Sequence, residues 1–151
     1  MRLRRTASRS LFVALFAASL PLLASACSSD DNEGDAGGGS VTATEKDFNI
    51  ALDATSVDAG SVTFTIHNDG PSMHEFVVFK SDLKSSELPL DTSEGTVDEN
   101  GAGLTSVDEQ EDIASGTDAT LTVTLDAGSY VVICNLPGHY QQGMHASLTV
   151  S

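Results

Sequence analysis

Residues 129–150 read Ser129-Tyr-Val-Val-Ile-Cys134-Asn-Leu-Pro-Gly-His139-Tyr-Gln-Gln-Gly-Met144-His-Ala-Ser-Leu-Thr-Val150. The stretch opens with an unbroken apolar run, Tyr130 to Ile133, and closes with Ala146, Leu148 and Val150 alternating with Ser147 and Thr149. Both are strand patterns, one running into the segment between them and one running out. Between them stand a thiol, an imidazole and a thioether, with four residues between successive donors. The spacing predicts two strands joined by a loop that carries all three groups.

Thiolate and thioether sulfurs are soft donors and imidazole is intermediate. The trio therefore favours copper over the hard cations that prefer oxygen. A mononuclear blue-copper centre takes two imidazoles and one thiolate in a plane, with a weak thioether on the axis, so a second His is required from elsewhere in the fold. The segment Asn68-Asp-Gly-Pro-Ser-Met-His74-Glu-Phe-Val-Val-Phe79 offers His74 at the mouth of another apolar strand. Structural zinc sites tend to use short paired spacings such as Cys-x2-Cys, and the chain has none.

The two motifs together, Asn-x-Gly leading to His and Cys-x4-His-x4-Met ahead of the last strand, resemble the cupredoxins, the family that includes plastocyanin, azurin, auracyanin and sulfocyanin. The resemblance covers about 41–151. It implies one type 1 copper held by His74, Cys134, His139 and Met144, and outer-sphere transfer of single electrons with His139 as the port. Leu136, Pro137 and Tyr140 are candidates for an apolar patch around that port. One position departs from the family: plastocyanin and azurin carry Asn after the first ligand His, where it ties the two copper loops, and this chain has Glu75. Asn135 is the candidate for a substitute tie.

Elsewhere Phe48, Ile50 and Leu52 share one face of a strand, as do Val62, Phe64 and Ile66. Further strands are expected over 76–79, 119–125, 130–134 and 146–150, with turns at Asp58-Ala-Gly60, Asp69-Gly-Pro71 and Asp126-Ala-Gly128. No segment sustains a helical period, so the predicted fold is all-β, a Greek-key β-sandwich of the cupredoxin kind. Residues 81–117 are strongly acidic and read as a solvated excursion, with a short strand at 104–107. Two acidic turns within it, from Asp91 and from Asp98, do not complete a calcium-loop spacing.

At the N-terminus Arg2, Arg4, Arg5 and Arg9 precede an apolar stretch, Leu11 to Leu23, and then small residues. Residues 1–26 are read as a signal peptide. Leu23-Ala-Ser-Ala-Cys27 resembles a bacterial lipobox, which implies lipidation of Cys27 and anchoring at the extracytoplasmic face of the membrane; ordinary secretion is the alternative. With Cys27 so used, Cys134 has no disulfide partner, and ligation to a metal accounts for a lone exported thiol. Residues 27–40 are acidic and rich in Gly and Ser, a flexible tether reaching on the order of 20 Å. The domain itself is assigned to 41–151.

All four Arg lie in the signal. The mature chain keeps three lysines against 22 acidic residues, a formal charge of −19. That excludes nucleic acid as a partner and suits redox proteins with a basic docking face. His67 falls on the outward side of its strand, His145 is expected to point away from Met144, and Met73 to pack against its loop; none is assigned as a ligand. The four His, with no His-x-His pair, cannot build a trinuclear copper cluster, so the chain is expected to be no enzyme. A monomeric electron carrier is the reading, with an extracytoplasmic copper carrier or store as the alternative.

Overall fold

The computed structural model describes residues 37–151; the expected signal, Cys27 and the tether up to residue 36 lie outside the described residues. Its strands are β1 (Gly38–Lys46), β2 (Asn49–Leu52), β3 (Ser56–Val57), β4 (Gly60–Asn68), β5 (His74–Lys80), β6 (Leu90–Asp91), β7 (Thr96–Val97), β8 (Thr105–Ile113), β9 (Asp118–Leu125), β10 (Gly128–Ile133) and β11 (His145–Val150). One sheet runs β2-β1-β4-β9, the second β3-β11-β10-β5-β8, and β6 with β7 makes a small hairpin. The pairs β1·β4 and β3·β11 are parallel, so both sheets are mixed. The chain crosses between sheets after β2, β3, β4, β8 and β9, as the expected Greek-key sandwich requires. Among the described residues no helix is long and apolar enough to cross a membrane.

Alternation builds the core. Val41 and Ala43 of β1, Val62, Phe64 and Ile66 of β4, and Phe76 and Val78 of β5 all lose their whole surface to water. Phe64 and Phe76 meet between the sheets with ring centroids 5.2 Å apart. Strands β5 and β10 differ from the others in being covered twice: Val77, Phe79, Val131 and Ile133 on the outer face pack with Leu88, Val97 and Tyr140. A strand buried on both faces needs apolar residues without alternation, which is why 76–79 and 130–133 read as continuous runs.

Two parts of the chain depart from the sequence expectation. β1 begins at Gly38, inside the segment that composition assigns to the tether. Gly38 to Ser40 pair with Ser61 to Thr63 of β4. Gly38 has φ +116, and a Cβ there would stand 2.1 Å from the Ser61 carbonyl oxygen, so the glycine allows a close crossing that the flexible reading overlooked. The acidic excursion also holds more structure than expected. β8 is a nine-residue edge strand on β5, not a short strand at 104–107, and its register slips twice, between His74/Phe76 and between Val78/Phe79. Those slips break the alternation by which a strand is recognised.

Candidate metal centre

The first loop is shaped by Asn68, which is buried and fully used. Its Oδ1 accepts the Gly70 N–H at 2.9 Å, and its Nδ2 donates to the carbonyls of Ser72 and Ile113, each at 2.8 Å. This closes the turn between β4 and β5 and fastens it to the end of β8. His74, the first residue of β5, is delivered into the interior with no exposed surface.

The second loop leaves β10 at Cys134. The Cys134 N–H donates to the Met144 carbonyl at 3.1 Å, and the Met144 N–H to the His139 carbonyl at 3.2 Å, so backbone bonds connect all three candidate donors of the loop. A single 3-10 turn, Tyr140–Gln142, fills the bend. The β6–β7 hairpin clasps it from outside. Asn135 Oδ1 accepts the Val97 N–H at 2.6 Å, Asn135 Nδ2 donates to Glu99 Oε1 at 2.9 Å, and the Gly138 N–H donates to the Gly95 carbonyl at 2.8 Å.

The loops bring Cys134 Sγ to 3.3 Å from His139 Nδ1 and 3.8 Å from His74 Nδ1, with the two imidazole nitrogens 3.3 Å apart. These atoms form one cluster within 4.8 Å. Met144 is wholly buried in the same apolar cluster as Cys134. His139 is the one member of the four with partial exposure, and Phe48 meets its ring edge-on at 5.1 Å.

Burial lowers both imidazoles; Asp47 pulls each of them back up, and His139 pushes His74 further down. They are therefore neutral near pH 7, with lone pairs free for a metal. Burial pushes the Cys134 thiol up to about 12, against the opposing pull of the Glu75 and Leu136 backbone N–H groups on the sulfur. Two imidazole nitrogens and a thiol crowded together without a carboxylate fit a copper ion, the metal this mixture of soft and intermediate donors prefers.

Two residues beside the donors, Asp47 and Ser72, are ones that sequence reasoning did not single out. Asp47 Oδ1 lies 3.0 Å from His74 Nε2, a charge contact off the axis of a good hydrogen bond. Ser72 Oγ donates to the other oxygen of Asp47. Burial, the strongest influence, pushes the Glu75 carboxyl up to about 7, while the Asn135 backbone N–H pulls it the other way. The Asn135 side chain faces the hairpin. Tyr140, expected near the port, turns inward and accepts the Leu88 N–H at 2.9 Å. His67 Nδ1 meets Asp118 Oδ1 at 2.6 Å, and His145 Nδ1 lies 3.2 Å from Ser85 Oγ. Met73 is 47% exposed.

The family profile described as copper binding proteins, plastocyanin/azurin family, matches residues 38–151. No match was found among curated protein sequences. Among solved structures the fold is similar to a dithionite-reduced auracyanin from Roseiflexus castenholzii, at 21% identity and TM-score 0.52 over 76% of this chain and 96% of that one. It is similar also to auracyanin A from Chloroflexus aurantiacus, at 18% and 0.50 over 76% and 100%. Rusticyanin from Thiobacillus ferrooxidans follows at 15% and 0.50 over 74% and 77%.

Proposed function

Since the chain belongs to the plastocyanin/azurin family of copper-binding proteins, we propose that it is an exported carrier of single electrons whose copper is held by His74, Cys134, His139 and Met144. The observation that carries this reading is the gathering of three donor atoms, from loops 60 residues apart in sequence, within 4.8 Å. Copper, when bound, supplies a one-electron couple. The chain supplies the rest. Cys134 would give up its proton only when a metal binds, since burial disfavours a thiolate without a cation beside it. His74 and His139 would hold the copper through Nδ1, with Met144 as a weaker thioether donor. The backbone bonds across the loop hold these groups in one arrangement whatever the charge of the centre.

His139 is the electron port, with half-buried Phe48 and Leu136 beside it. Docking follows charge. A depression of about 420 Å³ beside Asn135 is lined by carboxylates that include Glu94, Asp98, Glu99, Glu109 and Glu111, and this supports a redox partner with a basic face. The N-terminal pattern supports lipid anchoring through Cys27 at the extracytoplasmic membrane face, and the domain acts as a monomer and not as an enzyme.

Visible and EPR spectra of the copper-loaded full-length chain test the proposal. An intense thiolate-to-copper band with narrow copper hyperfine splitting is expected, and Cys134→Ser removes both. A colourless complex with ordinary tetragonal parameters overturns the blue-copper reading. A copper carrier would instead pass its metal to an apo-acceptor while exchanging electrons slowly, which stopped-flow measurements on one preparation distinguish. Intact-mass analysis of the membrane-fractionated protein tests for lipid on Cys27.

A further inference from the structure

Val41, Ala43 and Glu45 form one inward stripe on β1, and all three have no exposed surface. Among the described residues neither carboxylate oxygen of Glu45 has a hydrogen-bond partner. An ionised carboxylate in such surroundings is expensive unless a positive charge faces it. Register places Glu45 between Ile50 of β2, a strand with no charged residue, and Asn68 of β4, whose side chain is fully engaged with the turn. The charge of Glu75 on β5 reaches it, and its own charge reaches Cys134 just beyond β10. Nearby Asp47 is occupied with Ser72 and His74, and Asp69 with Lys46. Among the described residues the lysines sit elsewhere: Lys46 at Asp69, Lys84 at Glu87, and Lys80 at the Ala127 carbonyl. Among the described residues no lysine compensates Glu45. A metal ion held by the four donors would bring a positive charge to its neighbourhood.

Resting on the copper reading above, we propose that Glu45 is a proton site coupled to the redox state of that centre, taking up one proton when the centre gains an electron and releasing it when the electron leaves. The electron comes from a one-electron donor protein and the proton from water. On reduction one O–H bond of a solvent hydronium ion breaks and one forms on the Glu45 carboxylate, leaving water; no bond to Cys134 breaks, and the buried charge is unchanged; oxidation reverses each step. An ionised Glu45 stabilises the more positive, oxidised centre, and a neutral Glu45 the reduced one. Burial, followed by Glu75, holds its proton up to about pH 8, a range in which such coupling operates under ordinary conditions. Glu45 makes no hydrogen bond to any of the four donors, so its effect travels through the field and leaves the ligand set intact.

Voltammetry of the copper-loaded full-length chain as a function of pH, with Glu45→Gln beside it, provides the test. In the wild type the potential is expected to fall as pH rises, approaching about 59 mV for each tenfold change in proton concentration, the value for one proton per electron. Glu45→Gln is expected to be flat and to match the acid limb of the wild type. A wild-type potential independent of pH, or a slope that survives in Glu45→Gln, overturns the proposal. Absence of any reversible wave and of the blue band overturns the copper reading itself, and this proposal with it. Redox-difference infrared spectra of the wild type need no variant. The carbonyl band of a protonated carboxylic acid should appear on reduction and vanish on oxidation, and its absence in both states counts against Glu45.

Discussion

Gly70 lies so close to His74 that a Cβ placed on it would stand 2.9 Å from the imidazole Nε2. The same atom would be 2.7 Å from Asp47 Oδ1. Gly70 is thus the floor under the contact that orients the imidazole. Gly70→Ala forces that pair apart, and overpacking of this kind costs about 1–3 kcal/mol. Denaturant unfolding of the copper-free chain should show the loss, and copper titration a weaker site.

Asp47 holds the nitrogen of His74 that is turned away from Cys134. Removing it frees the ring to rotate and leaves Nε2 without a charged neighbour. Asp47→Ala is expected to weaken copper binding about 10–100-fold, the usual effect of losing a residue that orients a ligand. Competition with a chelator of known affinity measures it.

Met144→Leu keeps an apolar side chain of similar volume in a fully buried position, so the fold should tolerate it with less than about 1.5 kcal/mol of destabilisation. A weak axial donor is lost while the trigonal donors stay. Copper and colour should remain and the reduction potential should rise. Loss of copper would show that the thioether does more than occupy the axis.

Stability should carry the signature of Glu45. Burial, then the charge of Glu75, raises its carboxyl from 4.5 to about 8. Between those values the folded chain binds the proton more tightly than the unfolded chain, so this contribution is complete below pH 4.5 and is lost as pH rises through about 8. Asp47 and Asp91 are shifted downward, so their contribution falls away only below pH 3.8 and does not enter the same window. Urea unfolding of the copper-free chain should therefore show a smaller loss between pH 5 and 8 in Glu45→Gln than in the wild type. The difference is bounded by about 1.4 kcal/mol per pH unit, the limit for one proton.

The donors were legible in the sequence because their types are rare and their spacing is fixed by a loop between two strands. His74, Cys134 and His139 meet as the motifs imply. Strands β5 and β10 were legible for a related reason: cover on both faces leaves an unbroken apolar run. β8 was not, because its side chains are largely exposed at a sheet edge and two register slips erase the period. Gly38 to Ser40 were misread because glycine signals freedom in a linker and close approach in a sheet, and composition does not separate the two. Asp47 and Glu45 were missed because a carboxylate reads as solvated until the elements covering it are known.

The clasp between the β6–β7 hairpin and the second loop sets what can be transplanted. Replacing residues 134–144 with a loop of another length would strand the Val97 amide and the Gly95 carbonyl, each now satisfied by that loop. A buried donor left without a partner costs about 1–3 kcal/mol. The hairpin and the loop therefore behave as a single cassette. A graft that carries both should fold, while one that carries the loop alone inherits an unmatched surface.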